Sequence, residues 1–383
     1  MNSSELKNRL AAKRRKKTGV DFSLRLLCIF AATFFGASAF AQTPAPTTPA
    51  PVAAAKPDAP YPDPPATLPG RGLAQHDFLF TGEWDTRKDV ATMFLIRGGK
   101  VVWTYQIPRK DETNGQESEF SDMHRLSNGD IVFAYKTGWR KIDATGKTLH
   151  DYKCPSVGTG PDGKAIWAEC HSAQPIGMDK VLFMQNGIPA KLMLYNLATG
   201  KIEMEHAMKT KDPVDAKSIH GQFRNVRMTK AGTYLIAHMN LSRVIEYDQN
   251  WNEIWSCDAP SVWHAARLAN GNTLIAGNQH AFAREINPKG EIVWEVKKGD
   301  LPGITLNGVH QVMRLRNGNT VICNWTAGVK KPDWPKIVQV IEVTPDKKVV
   351  WAFREWTDPD LGPSSCIQLL DEPGRDEAQE LMR

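Results

Sequence analysis

Short apolar runs alternate with polar positions from about residue 78 to residue 370, and Gly, Asn, Asp or Pro break them every few residues. This is the period-two pattern of half-buried strands separated by turns. The pattern repeats. Leu268-Ala269-Asn270-Gly271-Asn272-Thr273-Leu274-Ile275 is echoed by Leu315-Arg316-Asn317-Gly318-Asn319-Thr320-Val321-Ile322 and by Leu126-Ser127-Asn128-Gly129-Asp130-Ile131-Val132-Phe133. Each reads as a strand end, an Asn-Gly turn and a second strand. A third strand follows, as in Ile245-Glu246-Tyr247 or Ile341-Glu342-Val343, then a tight turn such as Pro288-Lys289-Gly290. The fourth strand carries Trp in four repeats: Trp103, Trp255, Trp294 and Trp351. These rings are expected to wedge between neighbouring sheets.

A four-stranded unit cannot bury both of its faces alone, so copies of it must pack on one another. Repeats of about this length therefore predict an all-β fold, a six-bladed β-propeller. The blades fall at 78–106, 120–153, 168–206, 220–256, 262–296 and 308–354. The first lacks an inner strand, and Ser365-Cys366-Ile367-Gln368-Leu369-Leu370 reads as one. A C-terminal strand completing the first blade would close the ring and remove two exposed edges.

Composition adds a leader. Residues 1–23 are polar and basic, 24–41 apolar, ending in Ala39-Phe40-Ala41. That is the layout of a secretory signal peptide spanning 1–41, with an uncleaved membrane anchor as the alternative. Residues 42–71 are rich in Pro and Ala and are expected to form an extended, disordered linker. The propeller then occupies 72–383, in the periplasm or secreted, with no stable membrane span once the signal is removed. Much of the formal charge of +6 sits in the leader, so nothing indicates a nucleic-acid partner. Cys154 and Cys170 flank one Gly-rich loop and are the candidate disulfide pair; otherwise the cysteines act as small hydrophobes.

In such a ring the first strand of each blade lines the channel and the second runs back antiparallel. The start of the first and the end of the second therefore share one face. First-strand starts carry Asp122 and His124, His171, His220 with Arg224, His264, and His310. Second-strand ends carry Lys136, Asn186, His238 with Asn240, Asn278 with His280, and Asn324. These residues predict a mouth of imidazoles, amides and a few cations, suited to a small polar or anionic ligand. The histidines hold different offsets from the apolar anchor, five places for His171 and His310, four for His264 and two for His124, so only His171, His264 and His310 are expected to be roughly equivalent. Asp122 and Glu169 are the carboxylates expected nearby. With so few, no metal is expected, although three histidines from separate blades are a set a transition metal can use. No cofactor is expected.

The run from His264 through Arg267-Leu268-Ala269-Asn270-Gly271-Asn272-Thr273-Leu274-Ile275, followed by Arg284-Glu285-Ile286-Asn287-Pro288-Lys289-Gly290-Glu291-Ile292-Val293-Trp294, resembles bacterial aryl-sulfotransferase-like propellers. It is also similar to pyrroloquinoline-quinone-like repeats. The resemblance covers about residues 76 to 370. In the sulfotransferase family a channel His takes a sulfuryl group from one phenol and passes it to another. The resemblance then implies His264 or His310 as nucleophile, with His171, His220 and Arg224 assisting. Three function classes therefore stand: a propeller that binds a small ligand or an envelope protein at its mouth, a sulfuryl transferase, and a structural scaffold in an envelope complex.

Overall fold

The computed structural model describes residues 61–211 and 215–380. The stretch read as a signal peptide, and residues 42–60 of the expected linker, lie outside the described residues. Six four-stranded sheets are present, each antiparallel throughout. Blade 1 consists of Phe78–Thr81, Val90–Arg97 and Lys100–Pro108, with the distant strand Cys366–Leu369 on its inner side. Phe78 pairs with Leu369 and Thr81 with Cys366. The C-terminal strand thus closes the ring, as the sequence predicts.

The other inner strands are Asp122–Arg125 in blade 2, Glu169–Ile176 in blade 3, Phe223–Met228 in blade 4, Val262–Arg267 in blade 5 and Gly308–Arg314 in blade 6. A two-stranded insertion, Ser156–Thr159 with Ala165–Trp167, joins blades 2 and 3. No helix among the described residues is long and apolar enough to cross a membrane.

The Asn-Gly turns explain the repeat. Gly271 N–H donates to the Leu268 carbonyl, and Leu268 N–H donates to Asn272. Gly271 has φ +85°, and Gly129 and Gly318 match it at +91° and +89°. This is a type I turn followed by a left-handed bulge residue, which glycine adopts without a Cβ penalty.

Seams between blades reuse the same chemistry. Trp255 Nε1 donates to the Pro288 carbonyl of blade 5, and Trp294 Nε1 to Pro345 of blade 6. Trp351 Nε1 donates to Gly72, in the segment preceding blade 1. Beside them, the Arg267 guanidinium lies over Trp255 and bonds Glu246, while Arg314 lies over Trp294 and bonds Glu285. Trp255 and Trp294 are therefore wedges whose polar edge is satisfied by the next blade, and Trp351 is satisfied by the segment leading into blade 1.

Two expectations are corrected. Residues 61–71, the end of the expected disordered linker, pack on the propeller. Leu68 joins the core between blades 5 and 6, Ala352 N–H donates to the Pro69 carbonyl, and the Tyr61 hydroxyl accepts from Asn307. Apolar burial and backbone pairing hold a Pro-rich stretch that composition alone marks as unfolded. Cys154 and Cys170 are free thiols, buried in a core with Trp139 and Phe183 rather than bridged.

Candidate functional site

The inner strands share one irregularity. In blades 3, 4, 5 and 6 the register slips between Cys170 and Ser172, Phe223 and Val226, Val262 and His264, and Val309 and Gln311. At the same height in blades 2 and 1, Ser121 N–H donates to Ala134 beside the Asp122–Ala134 pair, and Ser365 N–H to Thr81 beside Cys366–Thr81. A bulge places two residues opposite one and re-aims a side chain. The six residues set at this height are Ser121, His171, Arg224, Trp263, His310 and Ser365, and all six line one axial cavity. The cavity measures about 10 Å³, the space of roughly one water-sized group.

One step deeper lie Asp122, Ser172, Asn225, His264, Gln311 and Cys366. Most of them tie their blade to the next. Asp122 Oδ2 accepts from Ala173 N–H at 3.1 Å, Ser172 Oγ from Val226 N–H at 3.1 Å, and Gln311 Oε1 from Ile367 N–H at 2.6 Å. His264 makes no such tie, and its buried Nδ1 has no partner. His171 and His310 are therefore equivalent, whereas His264 corresponds to Gln311. The rough equivalence expected of His171, His264 and His310 is corrected: the one-place difference in offset is a real step along the axis.

A four-layer stack walls one side of the cavity. The Arg224 guanidinium lies 4.3 Å from the Trp263 ring centre. Trp263 stacks on His310 at 4.1 Å, and His310 on Trp325 at 4.4 Å. Arg224 Nη1 donates to the His220 carbonyl, but Nε and Nη2 have no partner although the residue is only 3% exposed. Neither ring nitrogen of His310 has a hydrogen-bond partner; Nδ1 lies 3.4 Å from Glu83 Oε2. Burial, then the positive charge of Arg224, holds His171 down at about 3. Burial, then Arg227, does the same for His264, also to about 3. These rings are neutral at physiological pH.

More carboxylates sit here than the sequence reading expected. Glu83, at the end of the second strand of blade 1, is buried, and its own burial penalty is outweighed by His310 and neighbouring charges, which keep it ionised. Glu119 is pushed well above the usual carboxylate range, by burial first and then by Glu83. Glu169 Oε2 lies 2.8 Å from both His171 Nε2 and His220 Nδ1. Its burial is outweighed by those two contacts, so it stays well below the usual range.

Asp122 lines the floor of the cavity, where it pairs with Arg227 at 2.7 Å and 2.8 Å. The other expected site residues serve elsewhere. His124 lies below that pair, near a second cavity of about 50 Å³, with Nδ1 2.6 Å from Asp376 and Nε2 3.2 Å from Asp122. Burial is outweighed by the two carboxylates, which raise His124 to about 9. Asn186 Nδ2 donates to the Phe223 carbonyl, and Asn324 Nδ2 to Thr305 and Val338. Asn278 packs against Gly308, and His280 is exposed, with Nδ1 2.9 Å from Ser261 Oγ. Asn240 is half-buried and does not line the cavity. The expected ring of amides is thus corrected: none of these four asparagines lines the cavity, and Asn186 and Asn324 turn instead to backbone carbonyls that need donors. His220 sits at the rim on a short 3₁₀ turn.

The pH response of this site follows from its buried groups. Glu119 binds its proton in the folded state at pH values where an unfolded Glu, at 4.5, has lost it. Stability from this group therefore falls as pH rises above 4.5. The neutral imidazoles of His171 and His264 act oppositely: their stability is full above the ordinary value of 6.5 and is lost as pH falls toward about 3. Thermal melts from pH 4.5 to 8.5 are expected to show Glu119→Gln matching wild type at pH 4.5 and exceeding it by about 1–3 kcal/mol at pH 7.5. A constant difference across that range would contradict the assignment.

Among solved structures the chain is similar to a protein of unknown function from Bacteroides caccae, at 23% identity and TM-score 0.62, covering 76% of this chain and 98% of that one. It is also similar to virginiamycin B lyase from Staphylococcus aureus, at 14% identity and TM-score 0.42 over 62% of this chain and 70% of that one. BamB from Moraxella catarrhalis aligns at 9% identity and TM-score 0.39 over 62% of this chain and 67% of that one. The first likeness establishes the six-bladed propeller fold; the other two are too loose to add to it. No family model matches the chain, and no curated protein does. The resemblance to aryl-sulfotransferase-like propellers therefore rests on repeat motifs alone.

Proposed function

We propose that this is an exported propeller, periplasmic or secreted, that binds the anionic head of a small ligand, or an acidic side chain of an envelope protein, at its axial mouth. The observation that carries the reading is the free edge of Arg224. A guanidinium this deeply buried is normally fully paired. Its Nε and Nη2 form the fork that grips a carboxylate or sulfate bidentately. His310 and His264, whose rings carry nitrogens without a hydrogen-bond partner, line the same cavity. The small free volume admits the tip of a head group, with the bulk of the ligand above it.

Thermal shift with acetate, sulfate and phenyl sulfate tests this. A ligand at one hundred times its Kd is expected to stabilise wild type by about 2.7 kcal/mol, and Arg224→Gln to lose that gain. Equal stabilisation of both proteins, or of neither, contradicts the reading.

A second reading, sulfuryl transfer, draws support from the neutral imidazoles with unpartnered nitrogens beside Arg224, the form needed for nucleophilic attack. Release of phenol from a chromogenic phenyl sulfate, lost in His264→Ala or His310→Ala, is the result it requires.

A further inference from the structure

We infer that Glu169, His171 and His220 form a binding site for a divalent transition metal of the zinc type at the rim of the mouth. This departs from the expectation of no metal. The three ligand atoms lie within 4.8 Å of one another. Glu169 Oε2 stands 2.8 Å from each imidazole. Two nitrogens and one carboxylate oxygen, with further positions open, is the donor set of zinc centres that keep an exchangeable ligand.

Local structure explains why the set converges. Glu169 and His171 open the inner strand of blade 3, and the slip between Cys170 and Ser172 re-aims His171 toward the axis. His220 arrives from the next blade on the 3₁₀ turn Ile219–Gly221. The His220 side chain is half exposed, which leaves an entry path and freedom to close the last separation. Ligands around a tetrahedral zinc sit roughly 3.4 Å apart, given bond lengths of about 2.1 Å. Binding would lengthen the two 2.8 Å contacts and draw the imidazole nitrogens together, and the half-exposed His220 ring is the one with room to turn.

Outer contacts fit as well. His171 Nδ1 lies 3.3 Å from Ser121 Oγ, which orients the ring with Nε2 toward the site. The neighbouring charges are Lys136, whose Nζ is 4.0 Å from Glu169 Oε1, the buried Arg224, and the carboxylate of Glu83. Lys136 approaches the carboxylate oxygen remote from the imidazoles and leaves Oε2 free. With two cations close by, the open positions favour water or an anionic group.

The test uses the full chain, stripped with a chelator and titrated with cobalt(II) chloride alone. One equivalent is expected to bind at micromolar or lower concentration, with a visible d–d band that zinc abolishes. Glu169→Gln and His220→Ala are each expected to weaken binding by at least ~100-fold, and Ser121→Ala by ~10-fold. Absence of a band up to millimolar cobalt overturns the site. Undiminished binding in His220→Ala also overturns it, because the metal is then held elsewhere. No oxyanion enters this titration, so its outcome is separate from that of the oxyanion shifts.

Discussion

A chain ending at Pro363 is expected to yield no folded monomer. The strand it loses, Cys366–Leu369, pairs along its whole length with Phe78–Thr81. Ile367 and Leu369 sit in the core beside Phe78, Phe80 and Phe353. Burying side chains of this size contributes about 1.5–3 kcal/mol each. Two amide ties go as well: Gln311 to Ile367 N–H, and Gln368 to Arg125 N–H and carbonyl. The combined loss approaches the roughly 5–15 kcal/mol that holds an ordinary domain together. It also bares the Phe78–Thr81 edge of blade 1 to self-association. Size-exclusion chromatography and thermal melting check this. A monomer with a cooperative transition near that of the full chain would contradict ring closure by this strand.

Loss of either partner of the channel-floor ion pair comes next in size. Asp122 and Arg227 are both almost fully buried, and Asp122 also holds Ala173 N–H and Ser172 Oγ of the next blade. Arg227→Met leaves the buried Asp122 carboxylate with His124 as its one remaining charged partner, and Asp122→Leu strands a buried guanidinium. Each is expected to cost about 3–5 kcal/mol in denaturant unfolding. The double variant is expected to recover part of that loss, because it leaves no unpaired charge. Strictly additive losses would show that the two residues act independently.

The ring itself was legible because its signals are local. Leu268-Ala269-Asn270-Gly271 specifies a turn, the apolar alternation specifies strand faces, and Trp255, Trp294 and Trp351 recur at one position. Even the closing strand could be read, since Phe78-Leu79-Phe80 lacked an inner neighbour and residues 365–370 lacked a blade. The convergence of His171, Arg224, His264 and His310 on one cavity was partly legible from strand starts. The exact layering was not, because a bulge is a one-residue slip that alternation does not mark. The offsets of five for His171 and His310 and four for His264 were its trace.

Amides were misplaced for a different reason. A polar side chain at a strand end serves a mouth or a seam equally well in sequence, and Asn186 and Asn324 went to backbone carbonyls. Glu83 was missed because blade 1 is split between the two ends of the chain, so its second-strand end was not compared with the others. Glu119 and the Trp263–His310–Trp325 stack involve residues far apart in sequence and have no local signature.

The central claim is that the buried, unpartnered edge of Arg224 receives an anionic group from above. Anomalous diffraction from crystals soaked in selenate measures this most directly. A selenium peak is expected over the axis, within hydrogen-bond distance of Arg224 Nε and Nη2 and beside His310. Full-occupancy peaks confined to surface lysines, with none at the axis, would contradict it.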